Sequence, residues 1–177
     1  MQLPKRSLRP PRNFFPAGAV EFAELALETP PFIKRQRHTG VRAQGVRYER
    51  KAQGFLERQS VCYVPGPWLR FAARGDRKLR WCQPDGLYFD FGAGRITVVE
   101  IKYKHTELAW WQIRQLYGPV VAALFPGWAI GALEVCHWFD PAVGFPEAVC
   151  NVGQPFEEKD RGCAFYVYVY KGKAHEG

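Results

Sequence analysis

Three charged side chains stand where they can act together: Asp85, Glu100 and Lys102, in the stretch CQPDGLYFDFGAGRITVVEIKY that begins at Cys82. Two carboxylates brought close repel, and at least one is driven toward its neutral form. A divalent cation between them removes that conflict, and hard oxygen donors suit Mg²⁺ or Mn²⁺ rather than zinc. A lysine beside such an ion can position or activate a water and stabilise negative charge on a phosphate.

The elements around these residues decide whether they meet. Leu87, Phe89 and Phe91 alternate with Tyr88 and Asp90, the period of two that marks a strand. Residues 96–103 are rich in β-branched types and read as a buried strand. Gly92-Ala93-Gly94 lies between the two runs and predicts a hairpin turn. With a two-residue turn at Gly92-Ala93, Asp85 falls opposite Glu100; with a four-residue loop over 92–95, it falls opposite Lys102. Glu100 and Lys102 leave the same face of their strand, being two residues apart. Either even-length turn therefore gathers the three groups on one face, and an odd-length loop or a bulge shifts the register.

Pro84-Asp85 on one strand and Glu100-Ile101-Lys102 on the next resemble the signature of the PD-(D/E)xK nuclease superfamily. The resemblance spans residues 41–135. It implies a restriction-endonuclease-like αβ core and Mg²⁺-dependent phosphodiester cleavage, with Mn²⁺ as a substitute. It implies Asp85, Glu100 and the main-chain carbonyl of Ile101 as metal ligands, and Lys102 as the residue that orients water or neutralises the phosphate. In this superfamily a helix ahead of the sheet often supplies a further acid. Glu49 matches that role best, with Glu57 as its rival. In RecB-like members a Gln and a Tyr follow the lysine. Gln112 or Gln115 and Tyr117 correspond, Gln112 lying nearer the helix start, the Gln shaping the site and Tyr117 contacting nucleic acid. A phage or mobile-element setting follows only from the habits of the superfamily.

The chain has 177 residues, 47% of them hydrophobic and 15% aromatic, enough for one domain with a substantial core. A formal charge of +8 suits a polyanionic partner, and the resemblance implies that this partner is DNA. Arg9 and Arg12 belong to a basic, proline-rich arm over about residues 1–18, and Lys34 and Arg35 to a second basic cluster. Both clusters, with Lys104, are expected to follow a phosphate backbone. No apolar run is long enough to span a membrane, and no apolar segment follows the basic N-terminus as a secretory signal requires. Five scattered cysteines without a CxxC pair fit reduced thiols in a cytoplasm and argue against zinc.

The remaining pattern predicts a short helix over 21–27, a helix over 43–59 and strands near 61–64 and 68–72. After Lys102 a helix starts at Thr106, with Leu108, Trp111, Leu116 and Val120 facing the sheet and Pro119 kinking it or starting a second helix. Strands follow near 129–137 and 163–170. The expected architecture is α/β: a mixed central β-sheet flanked by helices. Two alternatives remain open. One is a nucleic-acid-binding protein on the same fold that cleaves nothing. The other is a junction-resolving or transposase-type nuclease subunit, for which two cuts require a symmetric homodimer.

Overall fold

The structure, a computed structural model, describes residues 19–26, 29–30, 32, 39–76, 78–139, 155–157 and 164–171. Its elements are β1 (Val20–Ala26), α1 (Gly40–Gln59), β2 (Tyr63–Pro65), β3 (Trp68–Ala73), β4 (Arg80–Cys82), β5 (Gly86–Asp90) and β6 (Arg95–Lys104). Then come α2 (Glu107–Gln112), a π-helical turn (Ile113–Tyr117), α3 (Gly118–Leu124), β7 (Ala129–Trp138), β8 (Pro155–Glu157) and β9 (Ala164–Val169). The fold is mixed α/β with two sheets: six strands in the order β2-β5-β6-β7-β9-β8 and three in the order β1-β3-β4.

β6 is the axis of the larger sheet. It pairs antiparallel with β5 and parallel with β7. A parallel neighbour demands a long crossover, which the helical segment from α2 to α3 supplies. Side chains alternate along β6. Ile96 and Val98 join a core with Ile113, Val120 and Val121 of the crossover and with Leu69 and Phe71 of β3. Val99 and Ile101 point the other way, into a core with Tyr48 and Ala52 of α1. The sheet thus lies between α1 on one face and the crossover with the small sheet on the other, and burial of both faces accounts for the apolar run in β6.

The hairpin between β5 and β6 pairs Asp90 with Arg95 and Gly86 with Val99. Continued by one residue, this alignment sets Asp85 against Glu100. That is the alignment of a Gly92-Ala93 turn, although Phe91 and Gly94 also leave the ladder and the turn spans four residues. Gly94 has φ 59°, in the left-handed region that glycine enters without steric penalty.

Three expectations are corrected. Residues 21–27 do not form a helix: β1 pairs with β3 through Phe22↔Ala72, Ala23↔Phe71 and Glu24↔Arg70, with an ion pair between the last two. Glu, Leu and Ala favour a helix locally, but the cross-strand ladder and the packing of Val20 override them. The single central sheet expected becomes two sheets, with the strand near 68–72, β3, as the middle strand of the smaller one. The crossover presents Ala109, Ile113, Tyr117, Val120 and Val121 to the core, while Leu108 is 48% exposed. Ala109 takes the core-facing position in the first turn, and the π turn then inserts a residue into the helical phase after Ile113. Gly118 closes that turn by donating its N–H to Ile113 O, where a Cβ would sit 2.8 Å from the same oxygen.

Candidate functional site

β6 delivers Glu100 and Lys102 to one face, as their spacing requires. Glu100 is 2% exposed, and the Lys102 ammonium donates to its Oε1 as an ion pair. Asp85 sits just ahead of β5, and its Oδ2 accepts the main-chain N–H of Ile101 at 2.5 Å. The Asp85 carbonyl accepts from the Tyr63 hydroxyl and from Gln53 Nε2, both at 3.1 Å, and from Gly66 N at 3.0 Å. β2, α1 and the loop before β3 therefore hold the backbone that carries this acid. Gly86 is part of that arrangement, because a Cβ there would collide with the Tyr63 ring.

The electrostatics bind these groups into one cluster. Burial pushes Glu100 up to about 8, Asp85 adds to the rise, and Lys102 opposes it. Burial also raises Asp85, against the pull of the Ile101 N–H and Lys102. Glu49 of α1 is raised by burial and then by Asp85, with Lys102 and Arg50 opposing, so it shares the field of the same cluster. Burial acts to lower Lys102, but Glu100 and then Asp85 and Glu134 outweigh it, and the amine is raised. Lys102 thus stays cationic at neutral pH.

From the crossover, Gln112 Nε2 donates to the Tyr117 hydroxyl at 3.4 Å. Burial raises that hydroxyl first, and Glu100 and Asp85 raise it further. Of the two glutamines, Gln112 is the one so connected. Tyr117 is buried with its ring in the core, which leaves no open ring face for a base to stack on. Lys104 is exposed at the end of β6, and Glu57 is exposed on α1. Arg9, Arg12, Lys34 and Arg35 lie outside the described residues.

Sequence reasoning missed Glu134 and His105. Glu134 of β7 is in register with Glu100 across the parallel pair and is fully buried. Its Oε2 meets His105 Nδ1 at 2.7 Å. Burial raises its carboxyl, while His105, Lys102 and the Thr106 N–H lower it. The available signal was a lone glutamate inside the apolar run of β7, since an unpaired acid is almost never fully buried.

Glu100 Oε2, Glu134 Oε1 and Gln112 Oε1 are buried with no hydrogen-bond partner among the described residues. An orphaned, buried carboxylate oxygen is costly and is relieved by a proton or a cation. Among the described residues, no three carboxylate, imidazole or thiolate side chains are grouped to cage a metal by themselves. Mg²⁺ needs no such cage, because it takes one or two carboxylates and keeps several waters. The donor set of Asp85 and Glu100, with the open Glu100 oxygen, fits that requirement.

No helix among the described residues is long and apolar enough to cross a membrane. No protein-family model matches the chain, and neither a curated protein nor a solved structure matches it.

Proposed function

We propose that the chain is a Mg²⁺-dependent nuclease that hydrolyses DNA phosphodiester bonds, accepts Mn²⁺ in place of Mg²⁺, and has a restriction-endonuclease-like fold. The observation that carries the reading is the meeting of Asp85, Glu100 and Lys102 at one end of the β5–β6 hairpin, with one Glu100 oxygen buried and unpartnered. The order helix, hairpin, helical crossover and parallel strand, with α1 and the crossover on opposite faces of the sheet, supports the fold assignment.

On this reading Asp85 and Glu100 hold the cation, Glu49 binds it directly or through water, and the Ile101 carbonyl adds an oxygen. When bound, the cation polarises the phosphoryl oxygens and neutralises charge that builds on them. Lys102, held cationic by its acidic neighbours, positions the attacking water and stabilises the developing negative charge. Gln112 and Tyr117 close the crossover side of the site. Rate enhancement then comes mainly from positioning and fixed electrostatics.

The test is nicking of supercoiled, linear and single-stranded DNA with Mg²⁺, with Mn²⁺ and with chelator. Cleavage that requires a divalent cation supports the proposal. The Lys102–Glu100 ion pair, which satisfies one Glu100 oxygen without a cation, favours a second reading, a nucleic-acid-binding protein that cleaves nothing. DNA binding with no cleavage in either metal would select it.

A further inference from the structure

A second recess opens at the same end of β6 and β7, on the face turned toward α1. Its volume is about 330 Å³, and its floor is aromatic. Tyr103 and His137 stack with centroids 5.1 Å apart at 11°, and Tyr48 of α1 meets both rings edge-on at 5.7 and 5.6 Å. Hydrogen bonds fix this floor: Gln44 Nε2 donates to the Tyr103 hydroxyl at 2.7 Å, and the Tyr48 hydroxyl donates to Tyr170 O at 3.2 Å.

The walls are cationic. Arg47 and Lys51 stand one helical turn apart on α1, and Lys171 borders the same recess. Lys171 Nζ donates to His137 O at 2.9 Å and lies 4.3 Å from the centre of the Trp138 ring. Among the described residues no carboxylate lines the recess, and none of the three cations is ion-paired. Like charges at i,i+4 destabilise a helix, so Arg47 and Lys51 beside a third cation gain from an anion between them. Guanidinium and ammonium donors around one point match the oxygens of a phosphate, and the adjoining rings offer a surface to the attached nucleoside.

We propose that this recess binds a phosphate group of a nucleic-acid strand and sets the path of that strand past the end of the sheet. Tyr48 adjoins Glu49 in sequence, and Tyr103 adjoins Lys102, so recess and candidate active site share α1 and β6. The consequence for turnover rests on the nuclease reading; binding in the recess does not. Arg47, Lys51 and Lys171 are exposed, so their replacement leaves both cores intact.

The test is fluorescence-detected binding of a labelled oligodeoxynucleotide to the full chain, in chelator, across a salt series. R47A/K51A/K171A should bind roughly ten- to a hundredfold more weakly. Its log–log salt slope should flatten by about one unit for one lost phosphate contact. R74A/K78A, which removes two exposed cations from the small-sheet side, should keep wild-type affinity, and R47K should retain most of it. The source of the phosphate is read by comparing 5′-phosphorylated and 5′-hydroxyl oligonucleotides. A difference between wild type and triple variant that vanishes with the 5′-hydroxyl assigns the chain end, and one that persists assigns an internal phosphodiester. Unchanged affinity and slope in the triple variant, or an equal loss in R74A/K78A, would overturn the proposal. Because no metal is present, absence of cleavage by the wild type leaves this result intact and counts only against the nuclease reading.

Discussion

Ile101 donates its main-chain N–H to Asp85 Oδ2 across 2.5 Å, which ties the acid ahead of β5 to the residue between Glu100 and Lys102. Asp85→Asn keeps the size and an acceptor oxygen but removes the charge. Burial already holds the Asp85 carboxyl above its ordinary range, so the variant should fold with near-native melting. Metal-dependent cleavage should collapse, while DNA binding in chelator should survive or tighten because a negative charge facing phosphate is gone. Far-UV circular dichroism, a melting curve and a binding titration check these outcomes together.

The acids make stability depend on pH in a definite direction. Glu100 is pushed up to about 8 in the fold, from an ordinary value of 4.5. Between those values the folded state binds a proton that the unfolded state has released, so stability falls as pH rises. Asp85, Glu49 and Glu134 are raised as well and act with the same sign. In chelator, the melting temperature should drop from about pH 5 to about pH 8, and Glu100→Gln should flatten that slope. A melting temperature that climbs through this window would contradict the assigned burial of Glu100.

Gly86 predicts how backbone packing reaches the site. A Cβ there meets the Tyr63 ring, whose hydroxyl donates to the Asp85 carbonyl. Gly86→Ala should displace Tyr63 and cost about 1–3 kcal/mol, the scale of overpacking. Denaturant unfolding measures that loss. On the nuclease reading, cleavage should fall further than stability does, because Asp85 moves with its carbonyl. Gly86→Ala combined with Tyr63→Ala should recover part of the fold but not the position of Asp85.

The hairpin was legible because its parts are local. Alternation in β5, the glycines of the turn and the spacing of Glu100 and Lys102 together determine which residues share a face. The assignment of 21–27 as a helix failed because β1 is held by a partner nearly fifty residues away in β3, and no local pattern encodes that pairing. The buried stripe of the crossover was misplaced at its start, where Ala109 and not Leu108 faces the core, because the six residues of α2 carry too little periodicity to fix the phase. Glu134 was overlooked for a related reason. Its meaning depends on the parallel register Glu100↔Glu134, which exists only after the crossover is folded.

Glu134 and His105 make a buried pair beside Glu100. Glu134→Ala removes the acid and leaves the His105 imidazole without that partner in an apolar setting. A loss of about 1–3 kcal/mol is expected for a buried polar group stripped of its hydrogen bond. Glu134→Gln keeps the shape and an oxygen for Nδ1–H, so it should lose less. Urea unfolding of the two variants separates them, and no loss in either would mean that the carboxylate and its partner contribute nothing as a pair.

The most direct measurement is plasmid nicking by wild type and Lys102→Ala in Mg²⁺, with native circular dichroism required of both. The wild type should nick DNA in Mg²⁺ and not in chelator. Lys102→Ala should nick about 10²–10³ times more slowly, the scale for loss of one preorganised electrostatic stabiliser. Equal rates for the two proteins, or a wild type that binds DNA and cuts none of it in Mg²⁺ or Mn²⁺, would contradict the account.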